Sequence, residues 1–379
     1  MTAINNTDTG APREDVEIAD VVRSPLSPCS PDGTLATLSP HVLLAQVASA
    51  LLNRTLLEPA AVTGVLIAGG PAFDEVARQT CALIGVTHRP PALLGRGGLQ
   101  HSIIHTAARA VGRRDVILVL GTTKPDLSAA SPRPSRRGIN AELVASRWKL
   151  GRDELDAYAQ RSRRRARAVA ESGEFGPETI PAVVWSSDSR IVVTADETIT
   201  DGSIDGTEKP LFYDPDIARQ HPEIGWHLHT GNVSRPVIGA AGAILLGSDR
   251  AGELGVRTRA RILALAEHTD AADVQPTGPI RASHTVFEHT GIDPDHLDHY
   301  EIDETFPATP LAWCREFNAD SNRFNPRGGS IALGRPGPAA GLRSLATVLS
   351  ALQATGGRLG IQVSEGRGNA GDALLLESL

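Results

Sequence analysis

Residues 325–343 read Asn-Pro-Arg-Gly-Gly-Ser-Ile-Ala-Leu-Gly-Arg-Pro-Gly-Pro-Ala-Ala-Gly-Leu-Arg. Glycine and proline recur through this stretch, and Gly334 and Pro336 are typical turn residues. An apolar helical pattern follows over Leu342–Thr355, and a strand pattern follows over Arg358–Val363. Arg335 stands between the two turn residues, so it is either a turn arginine on the surface or a residue of a pocket.

Working outward from this stretch, strand and helix patterns alternate along most of the chain. Before residue 121, strands are predicted at Ile18–Val22, Val65–Ala68 and Val116–Leu120, and helices at His41–Leu52, Glu75–Leu83 and Gln100–Val111. After residue 258, strands are predicted at Arg259–Glu267, Leu297–Ile302, Arg358–Val363 and Ala373–Glu377, and helices at Ser283–Thr290, Ala308–Phe317 and Leu342–Thr355. This alternation predicts a parallel sheet with covered faces in two similar α/β halves.

The composition predicts four segments. Residues 1–17 are polar and lack periodicity, which indicates a loose tail. Residues 18–120 form the first half, completed by about residues 226–258, which contain the buried apolar run Gly239–Gly247, and residues 259–379 form the second half. Residues 121–225 are rich in Pro, Ser, Arg and Asp, with helices at Ala141–Trp148 and Arg152–Ser172, and they are predicted to be an inserted domain.

The length, composition and charge of the chain argue against some classes of function. The chain has 379 residues, 41% of them apolar, which is enough for a large buried core. Its net charge of −7 argues against a general binder of nucleic acid or of membrane surfaces, because both need a basic face. The start of the chain has no signal-peptide pattern, and no window is apolar enough to span a membrane, so a cytoplasmic location is expected. The three cysteines form no disulfide framework.

Several short motifs resemble those of the thiolase superfamily. Residues 325–341 match N-x-x-G-G-x-I-A-L-G-H-P-x-G-x-(S/A)-G at nearly every fixed position, and arginine replaces the histidine. Further stretches follow the family in order and spacing: Val21–Pro25 (V-V-R-T-P), Asn140–Glu142 (T-A-E), Asp196–Glu197 (D-E), Gly231–Ser234 (G-N-A-S) and Glu301–Phe306 (E-I-N-E-A-F). The resemblance implies a thiolase-like α/β fold in which two doubly wound βαβαβ halves stack as five layers, αβαβα, with an inserted loop domain.

The resemblance also implies where catalysis would occur. Thiolases use a nucleophilic cysteine at a helix N-terminus, a second cysteine that moves a proton, and two side chains that donate hydrogen bonds to oxyanions. In this chain a glycine stands at the place of the nucleophile, and a weakly acidic hydroxyl stands at the place of the second cysteine. The two donor places hold a carboxylate, which only accepts hydrogen bonds, and a guanidinium, which is no base near neutral pH. The four positions are Gly95, Asp303, Arg335 and Ser364.

Two of these substitutions have opposite charges. The oxyanion-binding side chains lie side by side in thiolases, and here they are replaced by Asp303 and Arg335. We therefore predict an ion pair between them that fills the former oxyanion site.

Other positions carry weaker predictions. The resemblance assigns substrate-binding positions to Asn232, Ser234, Glu304, Phe306 and Gly366. His101, His105 and the later histidines are expected to be surface or capping residues, because a third ligand for a metal is missing from the pattern. The arginine run 161–167 is expected to be a solvated helix face, with contact to CoA phosphates as the alternative. The sequence predicts no cofactor and no metal, while a CoA thioester is a possible ligand.

Three functions remain open at this point. The leading hypothesis is a degenerate thiolase-like protein that binds an acyl-CoA-type ligand or serves as a non-catalytic partner subunit, as a homodimer or with another thiolase-fold subunit. The second is an acyltransferase or C–C bond-cleaving enzyme of lipid metabolism that uses Ser364, Asp303, Glu365 or Glu304. The third is an ordinary acetyl-CoA acetyltransferase.

Overall fold

The computed structural model describes residues 15–69, 73–88, 92–94, 102–123, 136–185, 189–200, 202, 204–270, 277–366 and 369–379. Its strands are β1 Val16–Arg23, β2 Ser27–Pro28, β3 Gly64–Ala68, β4 Ala92–Leu94, β5 Val116–Thr123, β6 Ala182–Trp185, β7 Arg190–Val193, β8 Val237–Gly247, β9 Ala260–Thr269, β10 His299–Ile302, β11 Leu359–Glu365 and β12 Ala370–Ser378. Its helices are α1 Pro40–Thr55, α2 Asp74–Leu83, α3 Ile103–Ala110, α4 Arg136–Arg147, α5 Arg152–Ser172, α6 Pro215–Gln220, α7 Ser248–Leu254, α8 Gly278–Thr290, α9 Ala308–Phe317, α10 Ser330–Leu333 and α11 Ala340–Thr355. Among these residues, no helix is long and apolar enough to cross a lipid bilayer.

The strands form two groups with the same pattern. The first group has the order β1, β8, β5, β3, β4, and the second has the order β9, β12, β11, β10. In each group the second strand runs antiparallel to both of its neighbours, whereas β3 pairs in parallel with β4 and β5, and β10 with β11. The groups join where β1 pairs briefly with β9, at Ile18 and Ala260. The two similar halves predicted from the sequence are confirmed.

One strand in each half departs from the predicted parallel sheet. β12 follows β11 after only residues 366–369, which is too short for a crossover, so the chain reverses and pairs antiparallel. β8 begins beside the end of β5, where Thr123 pairs with Gly239, and it therefore runs back along β5. The sheet is consequently mixed, and the expectation of an all-parallel sheet was wrong for β8 and β12.

Helices cover both groups of strands and also separate them. α1 and α2 pack on the outer side of the first group, and α8 and α9 pack on the outer side of the second. α3 and α11 lie between the two groups in a shared apolar core. α11 is buried on nearly every face, as expected for a helix that is apolar all round. This arrangement gives the five layers that the resemblance implied.

The central position of α3 changes the prediction for one histidine. His299, on β10, was expected to be a surface or capping residue but is buried. His105 was expected to be one as well, but its side chain is fully buried. It lies near two carboxylates, with Nε2 3.4 Å from Asp372 Oδ1 and Nδ1 3.8 Å from Glu267 Oε1. The prediction failed because a helix inside the middle layer has no solvent face, which local periodicity does not reveal.

The segment predicted as an insertion contributes α4, α5, α6 and the two-stranded ladder of β6 and β7. α4 packs against α9, and α5 packs against α9 and α10. The arginine run on α5 is less solvated than expected, since Arg163 donates to Gly231 O at 2.5 Å and Arg165 donates to Phe324 O at 2.5 Å. α4 and α5 therefore cover the second half of the chain, whereas β6 packs in the core of the first half.

Most predicted element bounds agree with the structure within a few residues, and α5 and α9 have the predicted bounds. α8 begins at Gly278, five residues before the predicted start. Pro279 fits the first turn of a helix, where its missing N–H costs nothing. A Cβ on Gly278 would lie 2.6 Å from Asn369 O, so glycine is required there by a close backbone approach. β1 begins at Val16, which places residues 16 and 17 in the sheet.

Candidate functional site

A cluster of charged side chains lies at the carboxyl ends of β10 and β11. Asp303 follows β10, and Glu365 is the last residue of β11. The N–H of Asp303 donates to Val363 O at 2.9 Å, which continues the pairing of the two parallel strands. In open α/β sheets this edge is the usual place for ligands.

Arg335 reaches the same place from the turn after α10. Its N–H donates to Arg235 O at 2.8 Å, and its carbonyl accepts from Val237 N at 3.3 Å, so the turn is held against the start of β8. Gly334 has a φ of +87°, and a Cβ there would lie 2.2 Å from Val237 Cγ1. The glycine before Arg335 is therefore required by both conformation and space.

The predicted ion pair is present in the structure. Arg335 Nη2 lies 3.8 Å from Asp303 Oδ2, a distance that allows charge attraction but is too long for a hydrogen bond. Asp303 Oδ1 accepts from both Thr305 N and Thr305 Oγ1 at 2.6 Å. Burial alone would raise the pKa of Asp303, but the charges of Arg335 and Arg137 and the bonds from Thr305 lower it below its usual value. Asp303 is therefore held as a carboxylate.

Arg137 is a member of the cluster that the sequence analysis missed. It lies on α4, and its Nη2 is 3.2 Å from Glu365 O, 3.4 Å from Thr305 Oγ1 and 3.5 Å from Glu365 Oε1. Glu365 Oε2 accepts from Thr309 Oγ1 at 2.8 Å. Burial raises the pKa of Glu365, and Arg137 opposes this only in part. The available signal was the pair Arg136 and Arg137 just before the T-A-E-like motif, but it does not tell which arginine points inward.

Two cavities adjoin these charges. The larger, of about 320 Å³, is lined by Arg137, Arg335, Thr305 and Ser234, with an apolar wall that includes Phe306 and Phe212. We call it the arginine cavity. A smaller cavity of about 30 Å³ is lined by Arg137, Glu365, Gly366 and their neighbours. Arg137 therefore borders both spaces.

The five predicted substrate-binding residues fall into two groups. Ser234 and Phe306 line the arginine cavity, and Gly366 lines the smaller one. Asn232 is fully buried instead, and it donates to Asp156 Oδ1 at 2.7 Å and accepts from His229 N at 2.9 Å. Its side chain holds the shape of its own loop and does not face either cavity.

Glu304 is also turned away from both cavities. Its carboxylate accepts from Ser162 Oγ at 2.6 Å, from Tyr158 Oη at 2.8 Å and from Asn325 Nδ2 at 2.9 Å. The side chain is 1% exposed, and burial raises its pKa. The expectation that Glu304 contacts a ligand was wrong because this carboxylate joins α5 to the Gly-rich loop before α10.

Comparisons with known proteins agree with this architecture. The model of the thiolase N-terminal domain matches residues 100–209, and that of the thiolase C-terminal domain matches residues 256–378. This chain belongs to the thiolase family. It is 30% identical to the steroid 3-ketoacyl-CoA thiolase FadA6 of Mycobacterium tuberculosis, over 98% of this chain and 96% of that protein. It is 29% identical to an acetyl-CoA acetyltransferase of Chromobacterium violaceum, over 96% of this chain and 100% of that protein. The crystal structure of the Bacillus anthracis acetyl-CoA acetyltransferase has the same fold, with a TM-score of 0.83 and 23% identity over 98% of this chain and 100% of that one.

Within this thiolase-family chain, Ser364 lies apart from the charged cluster. Alternate residues of a strand point to opposite faces, so Ser364 faces away from its neighbour Glu365. Ser364 Oγ accepts from Gln362 Nε2 at 3.1 Å, and no described histidine lies within hydrogen-bond distance of it. Gly95, matched to the family's nucleophilic cysteine, lies outside the described residues.

The three cysteines offer no activated thiol. Cys81 is buried in the core of the first half, and Cys29 and Cys314 are partly buried. Burial raises the pKa of all three thiols, which disfavours the thiolate that a nucleophile requires. Cys314 also donates to Ala319 O at 3.3 Å. These properties are those of structural cysteines.

Proposed function

We propose that this thiolase-family protein binds an acyl-CoA-type ligand in the arginine cavity without performing thiolysis or Claisen condensation. The observation that carries the proposal is the carboxylate of Asp303, held ionised by Arg335, Arg137 and Thr305. Both family reactions build negative charge on oxygen, and a fixed carboxylate next to it would raise the barrier. Asp303 stands at a position that resembles one where thiolases place a neutral hydrogen-bond donor.

The rest of the site supports the same proposal. Ser364 has only Gln362 as a described polar partner, and a serine without a base is a poor nucleophile. The raised pKa values of the three cysteine thiols argue against a substitute. The arginine cavity nevertheless has the size and the mixed apolar and polar lining of a small-molecule site. A role as a homodimer, or as a partner of another thiolase-fold subunit, is part of the proposal.

Acetoacetyl-CoA thiolysis tests the catalytic half of the proposal. The purified chain is expected to give no CoA-dependent loss of acetoacetyl-CoA above the blank, under conditions where an active thiolase is readily measured. Calorimetry with CoA and with butyryl-CoA tests the binding half, and saturable binding is expected. Turnover, or binding of neither ligand, would contradict the proposal.

A second function is favoured by one observation, the opposite pKa shifts of two neighbouring carboxyls. Burial raises the pKa of Glu365, while cationic neighbours lower that of Asp303. Such a pair suits an enzyme that uses one group as acid and the other as base. Nuclear magnetic resonance in D₂O would reveal α-proton exchange of a bound acyl-CoA, and exchange lost in Glu365→Gln would favour this alternative.

A further inference from the structure

Two guanidinium groups border one cavity in this chain. Arg137 comes from α4, and Arg335 comes from the turn after α10, so the two arginines arrive from different parts of the sequence. Both lie close enough to Asp303 to lower its pKa. Arginine is suited to carboxylates and phosphates because its planar fork can donate two parallel hydrogen bonds.

The contacts of Arg137 within the described residues are long. Its hydrogen bonds to Glu365 O and Thr305 Oγ1 measure 3.2 and 3.4 Å. Its Nε is buried and has no hydrogen-bond partner among the described residues. A guanidinium in this state gains from a ligand that offers acceptor oxygens, because buried donors without partners are costly.

The carboxylates nearby are already used by other donors. Asp303 Oδ1 accepts twice from Thr305, and Oδ2 lies 3.4 Å from Glu365 N. Glu365 Oε2 accepts from Thr309 Oγ1. Glu365 lines the smaller cavity, and the charged side chains at the described wall of the arginine cavity are Arg137 and Arg335. This wall therefore carries positive charge.

The rest of the cavity wall suits a short carbon chain. Phe306, Phe212 and Leu211 provide apolar surface, while Thr305 and Ser234 add polar groups. An apolar chain that ends in an anion would match both parts of this lining. A plain alkyl chain would leave the two arginines facing hydrocarbon, which costs the desolvation of their charge.

We propose that the ligand is a CoA thioester whose acyl group ends in a carboxylate, and that Arg137 and Arg335 bind this carboxylate. The inference depends on the proposed function, which places an acyl-CoA-type ligand in the arginine cavity. The ligand class is therefore a short ω-carboxyacyl-CoA.

Calorimetry on the full chain tests the inference with succinyl-CoA and butyryl-CoA, which have four-carbon acyl groups that differ in the terminal carboxylate. Succinyl-CoA is expected to bind about tenfold tighter or more. Equal affinities for the two would overturn the inference and leave the proposed function intact, whereas binding of neither thioester nor of CoA would end the proposed function. Free succinate that binds as tightly as succinyl-CoA would overturn the thioester assignment.

Substitutions of the two arginines test whether they cause the preference for succinyl-CoA over butyryl-CoA. Arg137→Met and Arg335→Met are each expected to reduce the ratio of the two affinities toward one, mainly by weakening succinyl-CoA. Arg114→Met is the matched control, since Arg114 is exposed near the amino end of β5, where it pairs with Glu253. Because the ratio is measured within each variant, it does not depend on the folded fraction. A full preference retained in both cavity variants would refute the assignment.

Discussion

Arg23 and Arg335 both stand in stretches that resemble thiolase motifs, but their surroundings differ. Arg23 is fully buried and forms short, matched bonds: Nε to Glu178 Oε1 at 2.7 Å, and Nη1 and Nη2 to the two oxygens of Asp196 at 2.7 and 2.9 Å. Arg335 borders a cavity, and its side chain is 23% exposed and 3.8 Å from Asp303. The first site joins β1 to the inserted segment, and the second borders the arginine cavity.

Other residues that match the family sequence behave like Arg23. Glu142 accepts from the N–H groups of His227 and Leu228 at 3.0 and 2.8 Å. Asp156 accepts from Asn232 Nδ2 at 2.7 Å, which ties α5 to the loop before β8. Glu142 and Asp156, which match the family, therefore hold segments together as Arg23 does, whereas Arg335, which departs from the family, borders the arginine cavity. The retained motifs indicate the fold.

The largest predicted effect is on stability, and it distinguishes the buried Arg23 from Arg335 at the cavity. Arg23→Met would leave Glu178 and Asp196 buried without their partner, so we expect a loss of about 3–5 kcal/mol in the free energy of unfolding. Arg335→Met is the matched comparison, and it is expected to cost at most about 1 kcal/mol. Urea denaturation of the two variants measures both values. Equal losses would remove the distinction between scaffold and cavity arginines.

A smaller loss in the free energy of unfolding is predicted for a change at Glu304, which precedes Thr305 of the arginine cavity. In Glu304→Gln, one acceptor oxygen becomes an NH₂ group. That group would face a donor on either side, Asn325 Nδ2 or the N–H of Ile331. We expect a destabilisation of about 1–3 kcal/mol and no change in ligand affinity. Asp303→Asn, which keeps an acceptor for Thr305, is the comparison and should cost less. A stable Glu304→Gln variant with weakened binding would return Glu304 to the ligand site.

A double-mutant cycle measures the ion pair of the cavity itself. Asp303→Ala is expected to destabilise the chain more than the double change with Arg335→Ala, because the single change leaves Arg335 beside a site without its carboxylate. The coupling should be only about 0.5–1 kcal/mol, since the charges are 3.8 Å apart and Arg335 is partly exposed. Additive losses in thermal unfolding would show that the pair is not energetically coupled.

The sequence predicts the scaffold better than the site for a physical reason. α5 follows from a long periodic pattern that ends at Gly173, whose φ of +77° closes the helix. The pair of Asp303 and Arg335 could be predicted because both stand in recognisable motifs. In contrast, the inward turn of Arg137 depends on how α4 packs against α9, which no local pattern contains.

The same limit explains the errors at Asn232 and Glu304. Their motif positions are correct, but a motif does not give the direction of a side chain, and both residues point into the protein. The antiparallel directions of β8 and β12 were missed for a related reason, because strand direction is set by where each connection leaves and re-enters the sheet. Tertiary packing decides these features.

The smallest predicted effect is the pH dependence of stability that Glu365 causes. The groups that face its carboxyl are Arg137 of α4, Thr309 of α9, and Asp303 and Arg335 of two loops. Its folded-state pKa is raised, mainly by burial. Above that pKa the carboxylate is ionised in both folded and unfolded chains, and its burial costs stability. Below the unfolded value of about 4.3 it is neutral in both, and the cost disappears.

Glu365→Gln should therefore be more stable than the unaltered chain at pH 8, by up to about 1 kcal/mol. The gain should shrink as the pH falls through the folded-state pKa, because protonation then removes the same cost from the unaltered chain. Thermal unfolding across pH 4.5 to 8 measures the trend, and Glu288→Gln, at an exposed position on α8, is the control with little expected change. A Glu365→Gln variant that is less stable at pH 8 would mean that Arg137 stabilises this carboxylate more than burial disfavours it.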